Sequence, residues 1–180
     1  MEQLINNPHQ LFQEIHSSLL ATAGDDTISG QSVAMFTTGA KEKVLLASYP
    51  RSGNTLIRSY IEKITGVITG SDHIIDLKLN KDLFELGMTG EGKLDDTVWI
   101  VKSHYPERLG HSPLKVNRCV LMVRSPIDSL WSFFNMMATQ SHNKSISDDQ
   151  LLRLPEMWDV FVRDELQTWK DFHDYWVSSP

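Results

Sequence analysis

The sequence predicts an α/β fold with a mainly parallel sheet flanked by helices. Three observations carry that expectation. Short apolar runs without polar alternation, VLLA, VWIV and CVLMV, have the length and composition of strands buried on both faces. Amphipathic stretches with helical spacing lie between or after them. The polar segments YPRSGNT, KSHYP and RSPIDSLWS each follow one of those runs, at the carboxyl ends where such sheets bind ligands.

Taken in order, residues Pro8–Leu20 carry Leu11, Phe12, Ile15, Leu19 and Leu20 at amphipathic-helix spacing. Residues 21–40 are rich in Gly, Ser, Thr and Asp and read as loop. KVLLASY, residues 43–49, is the first strand. Asn54–Thr65 follows as a helix, with Leu56, Ile57, Tyr60, Ile61 and Ile64 on one side and Gly66 as its stop. Residues 71–92 are mixed and polar, and no element is assigned there. TVWIVKSH, residues 97–104, is the second strand, and RCVLMVR, residues 118–124, the third. A helix then opens at Ser125 as N-cap, with Pro126 at its first position and the acid Asp128 in its first turn. Its bulky residues Leu130, Trp131, Phe133, Phe134 and Met137 point to the core. Residues 148–176 read as one or two more helices, with Trp158, Phe161, Trp169, Phe172 and Trp176 as their aromatics.

With 180 residues, 41% hydrophobic and 22% charged, the chain suits a single globular domain with its own core. A net charge of −6 argues against a general nucleic-acid surface, but leaves room for a local basic pocket. The single cysteine, Cys119, sits in an apolar run and is expected to be a buried, inert thiol. The first twenty residues have no basic leader with a long apolar core, and no segment is apolar enough to span a membrane. A cytoplasmic location is therefore expected. His9, His16, His73, His111, His142 and His173 show no metal-ligand spacing, so no metal site is expected.

The three segments at the strand ends carry the chemistry. In YPRSGNT, Gly53 lets the backbone approach a ligand closely. The amides of Gly53, Asn54 and Thr55 open a helix toward an anion, Ser52 and Thr55 add hydroxyls, and Arg51 adds a planar cation. GxxxxGK[ST] is absent, so this is not a Walker loop. The alternative is a plain strand–turn–helix corner with a surface arginine. In KSHYP, strand alternation puts Lys102 and His104 on one face. His104 suits a general base and Lys102 the stabilisation of negative charge. The alternative is an exposed strand end where both meet water. In RSPIDSLWS, Ser125 and Ser132 share a helical face. Arg124 and Ser132 can hold a further phosphate, whereas Ser125 and Asp128 read as cap residues.

The three motifs, in this order, resemble those of sulfotransferases that use 3′-phosphoadenosine 5′-phosphosulfate (PAPS), the cytosolic type above all. YPRSGNTL is similar to their YPKSGTTW loop, KSHYP to their KTHLP-type strand end, and Arg124 with Ser132 keeps their eight-residue spacing in the 3′-phosphate motif. The resemblance implies a P-loop-like three-layer fold. Residues 1–40 would be an N-terminal helix and loop, 41–138 a PAPS-binding core, and 139–180 a helical segment. It implies transfer of a sulfuryl group from PAPS to a hydroxyl or amine of a small-molecule acceptor, with no metal. His104 would be the general base, with Lys102 and Arg51 stabilising charge. Arg51, Ser52, Gly53, Asn54, Thr55 and Leu56 would hold the 5′ side of the donor, and Arg124 and Ser132 its 3′-phosphate.

Three departures stand out. Arg51 replaces the usual Lys, and Leu56 a Trp that stacks on adenine. The RKGxxGxW-like segment that closes over the nucleotide is missing, so the domain is expected to be C-terminally incomplete. A sheet short of a strand would make the chain marginally stable, dimeric or aggregation-prone. The alternatives are a non-catalytic or truncated PAP- or PAPS-binding protein, and a kinase-like enzyme with a degenerate loop.

Overall fold

Four parallel strands in the order β2-β3-β1-β4 form the sheet of the computed structural model. The structure describes residues 34–36, 42–73, 78–106, 114–116 and 118–178. The expected helix Pro8–Leu20 and most of the loop at 21–40 lie outside them. The strands are β1 (Val44–Ser48), β2 (Gly70–Ser71), β3 (Ile100–Ser103) and β4 (Arg118–Met122). The helices are α1 (Asn54–Thr65), α2 (Lys78–Glu85), α3 (Pro126–Thr139), α4 (Asp148–Leu151) and α5 (Pro155–Ser178). The α/β expectation is met, with an all-parallel sheet and flanking helices.

Side-chain alternation along β1 divides the layers. Leu45, Ala47 and Tyr49 join Leu130 and Phe133 of α3 and Phe172 of α5 in one buried cluster. Ser48 points the other way and accepts from the Asn54 side chain of α1 at 2.9 Å. Phe133 and Phe134 of α3 pack edge-on against Trp158 and Phe161 of α5, which stack on each other. Trp131 is only partly covered, at 37% exposure, and leans on Phe134 and Trp158 at the rim of that cluster. Two polar ties hold α5 to the strand ends: Tyr49 donates to Glu165 at 2.6 Å, and Trp176 donates to the Tyr105 carbonyl at 2.7 Å.

Several expectations need correcting. Cys119 is exposed, because β4 is the edge strand and has no neighbour on its outer side among the described residues. Burial of part of the residue pushes the thiol pKa up, against a hydrogen bond with the Ala47 backbone. The Ser125 hydroxyl makes no cap hydrogen bond, so Pro126 and Asp128 carry the start of α3. The unassigned stretch 71–92 contains the end of β2, all of α2 and a tight turn at Met88–Gly92. Gly90 is required there, since a Cβ would lie 2.0 Å from the Thr69 carbonyl oxygen. The C-terminal helical stretch is two helices: α4, closed by a capping box between Ser147 and Gln150, and α5, opened by Pro155.

Candidate functional site

The loop after β1 turns through two left-handed residues, Arg51 at φ 64° and Gly53 at φ 91°. Gly53 takes that conformation without strain, whereas Arg51 must be held in it. The hold comes from neighbours: Arg124 Nη1 donates to the Arg51 carbonyl at 2.7 Å, and Ser52 N–H donates to Tyr49 O at 3.2 Å. No side chain caps α1, so its first-turn amides are left for a ligand. The Asn54 side chain is spent on β1, donating to Ser48 Oγ and to Leu46 O. Ser52 Oγ is buried and has no hydrogen-bond partner, an orphaned hydroxyl at the mouth of an uncapped helix. Thr55 and Leu56 are half-buried in the first turn.

The Arg51 side chain runs to α3. Its Nε donates to Ser132 Oγ at 2.9 Å, and its Nη1 lies 3.7 Å from Met136 Sδ. Nη1 also donates to His142 Nδ1 at 3.0 Å and Nη2 to the His142 carbonyl at 3.1 Å. Arg51 of one motif and Arg124 and Ser132 of another therefore form one hydrogen-bonded cluster. Burial, then the charge of Arg124, lowers the Arg51 pKa; an anion placed here would relieve both.

His104 stands just past β3, beside the same loop. Its Nδ1 lies 2.5 Å from the Ser48 carbonyl oxygen and 3.3 Å from Ser48 Oγ. A carbonyl can only accept, so Nδ1 carries the proton and Nε2 keeps the basic lone pair. Ser48 thus fixes the tautomer a general base needs, and Asn54 fixes Ser48 in turn. The His73 ring packs against His104 at 4.8 Å between centroids.

Lys102 does not meet water at a strand end. It is 5% exposed, inside β3 next to the first residues of β2. Below it lies a buried ion pair between Arg58 and Glu91, with Arg58 also donating to Thr69 Oγ1 at 2.8 Å and Thr69 O at 3.0 Å. Burial would raise the Glu91 carboxyl, but the charges of Lys102 and Arg58 and hydrogen bonds from Arg58 and Ser71 outweigh it and lower its pKa. Burial pulls Lys102 down to about 8, against the raising effect of Glu91.

The structure thus gathers Arg51, Ser52, Gly53, Asn54, Arg124 and Ser132 around one uncapped helix end, with Lys102 and His104 on the adjacent strand. Sequence reasoning missed Ser48, Arg58, Glu91 and His142. Ser48 was within reach, as a polar strand end. Arg58 was not, because it lies outside the arc of Leu56, Ile57, Tyr60, Ile61 and Ile64 expected to face the core; the structure instead buries Asn54 and Arg58 and leaves Ile57 and Ile64 exposed. Glu91 and His142 lie in loops without periodicity, and carried no signal.

Comparison with known proteins follows the same line. The chain is 31% identical over 137 residues to a WSCD family member of Drosophila pseudoobscura pseudoobscura, and 30% identical over the same length to one of Drosophila melanogaster. A WSCD family member of Aedes aegypti is 28% identical over 145 residues. The chain is distantly similar to WSCD proteins. Between 74% and 79% of the chain is aligned, but it spans only about two-fifths of the length of the WSCD relatives, 40% to 43%. No family model matches the chain, and no solved structure matches it.

Proposed function

We propose that the chain is a sulfotransferase domain that binds PAPS across the ends of β1, β3 and β4 and transfers its sulfuryl group to an acceptor hydroxyl or amine. One observation carries the reading: Arg51, Ser132 and Arg124, drawn from two sequence motifs, are joined by hydrogen bonds over the uncapped start of α1. The similarity to WSCD proteins, which carry a sulfotransferase domain, supports it independently. The donor fits the residues present. The orphaned Ser52 Oγ, the first-turn amides and two guanidinium groups together offer donors to phosphate oxygens without a competing carboxylate among them.

The proposed chemistry follows from the positions of these groups. His104 Nε2 removes the acceptor proton while the acceptor oxygen or nitrogen bonds to sulfur and the bond from sulfur to the 5′-phosphate oxygen breaks. The electron pair leaves on the phosphate, where Arg51 neutralises it. Lys102, charged below about pH 8, stabilises the transferring oxygens. The amides of residues 53–55 and Ser52 hold the 5′-phosphate, and Arg124 and Ser132 the 3′-phosphate. Most of the rate comes from positioning and electrostatics. The acceptor would be a small molecule.

The test is calorimetric binding of adenosine 3′,5′-bisphosphate, followed by transfer from labelled PAPS over a panel of phenols, steroids, amines and sugars. Micromolar binding with transfer is expected. His104→Ala should abolish transfer, by a factor of about 100 or more, and leave nucleotide binding within about threefold, well under 1.4 kcal/mol. Binding without transfer would favour a nucleotide-binding protein that does not catalyse. No binding at millimolar nucleotide would overturn the proposal, and a shift needing ATP and magnesium would favour the kinase-like alternative.

A further inference from the structure

His142 lies in the loop after α3, outside every motif that suggested the function. It meets the phosphate loop through its side chain and its backbone at once. Arginine nitrogens can only donate, so His142 Nδ1, 3.0 Å from Arg51 Nη1, must be unprotonated and accepting. On the far side of the ring, Nε2 lies 3.0 Å from the Leu79 carbonyl oxygen, which can only accept, so Nε2 carries the proton. Both contacts are satisfied by a single species, the neutral Nε2–H tautomer. With the His142 carbonyl on Nη2 and Ser132 Oγ on Nε, all three guanidinium nitrogens are engaged.

We infer that His142 is a positioning residue for Arg51: as a neutral acceptor it fixes the guanidinium in the orientation from which it meets the donor's phosphates, and it ties that orientation to α2. The inference rests on the reading of this loop as a PAPS site. His142 touches Arg51, not the reacting atoms, so its effect passes through that side chain.

The interaction has a built-in condition. A protonated His142 would set an N–H against the Nη1 N–H at hydrogen-bond distance, two cations face to face. The charged groups around it are Arg51 from the phosphate loop, Lys102 from β3 and Asp82 from α2; Lys144 of its own loop is exposed. Burial, then Arg51 and Lys102, lowers its pKa against the opposing effects of the Leu79 carbonyl and Asp82. A lowered pKa means the neutral form holds at neutral pH. The clamp is lost only as pH falls below the ordinary histidine range.

The substitution His142→Asn separates this role from a structural one. Asparagine keeps an acceptor near the position of Nδ1 and does not titrate. Three proteins are compared by calorimetry with adenosine 3′,5′-bisphosphate at pH 7.5 and down to pH 5: unsubstituted, His142→Asn and His142→Ala. At pH 7.5, His142→Asn should bind within about threefold of the unsubstituted chain, and His142→Ala about tenfold or more weaker. Toward pH 5 the unsubstituted chain should lose affinity relative to His142→Asn. That difference is the readout, because phosphate itself titrates near pH 6. Nitrogen-15 NMR of the imidazole should find Nδ1 unprotonated at pH 7.5, with its shift altered by Arg51→Ala.

The inference is overturned if His142→Ala binds as tightly as the unsubstituted chain, if the two pH profiles are parallel, or if Nδ1 carries the proton. If the unsubstituted chain binds no nucleotide, the donor reading fails and takes the positioning role with it. The NMR signature of the Arg51 contact would then survive, marking which of the two ideas had failed.

Discussion

Lys102 lies almost wholly inside β3, where burial pulls its ammonium down to about 8 and Glu91 pulls it back up. If its charge is needed for transfer, the Lys102 contribution is present below that pH and lost as pH rises through about 8. The rate–pH profile should therefore carry an alkaline limb with a midpoint near 8, well below an ordinary lysine. Glu91→Gln removes the negative charge that raises Lys102, so the limb should move to lower pH. A limb that stays in place in Glu91→Gln would remove Lys102 as its source. The residues of this site differ in how legible they were. Arg51, Arg124 and Ser132 stand at strand ends or at a fixed helical offset, so chain geometry marked them as candidates and the motif resemblance gave them roles. The burial of Lys102 was hidden, because a strand end reads as exposed until the neighbouring strand is known. His142 was hidden further still, with its partner 91 positions upstream.

Between elements, the buried Arg58–Glu91 pair joins α1 to the turn after α2, and the Arg58 bonds to Thr69 reach the segment entering β2. Both side chains of the pair are fully buried. Removing one partner leaves an uncompensated charge, so Arg58→Met should cost about 3–5 kcal/mol of stability, read by urea unfolding. Arg58→Met with Glu91→Leu should recover most of that, because two apolar groups of similar bulk leave no buried charge. If the double variant is as unstable as the single one, packing rather than charge is what the pair supplies. The sequence did show that α1 is a helix, with Gly66 ending it in the left-handed conformation as expected. It did not show β2, which has two residues, or α2, which has eight. Elements that short are held by contacts such as these rather than by their own periodicity.

Across the whole molecule, the sheet order decides what an apolar run means. VLLAS in β1 and IVKS in β3 are almost entirely buried because each has neighbours on both sides. RCVLM in β4 is as apolar, yet its first three residues are exposed because it is the edge. Composition cannot distinguish these cases, which is why Cys119 was misread. Just past β4, Val123 is 65% exposed, and on the strand itself Val120 is 52% exposed. An edge strand with uncovered valines is a template for pairing with another chain. The chain is therefore expected to self-associate in a concentration-dependent way, as sedimentation velocity between about 5 and 100 µM would measure. Val120→Lys places a charge on that edge, the device natural sheets use against such pairing. It should shift the chain toward monomer while leaving nucleotide affinity unchanged, since Val120 is exposed on the strand and is not among the residues proposed to hold the nucleotide. If the unsubstituted chain sediments as a clean monomer at 100 µM, the exposed edge is tolerated and the association argument fails. If it associates but Val120→Lys associates equally, the contact lies elsewhere on the surface. The depression on α5 lined by Glu156, Met157, Val160 and Phe161 is then the next surface to substitute.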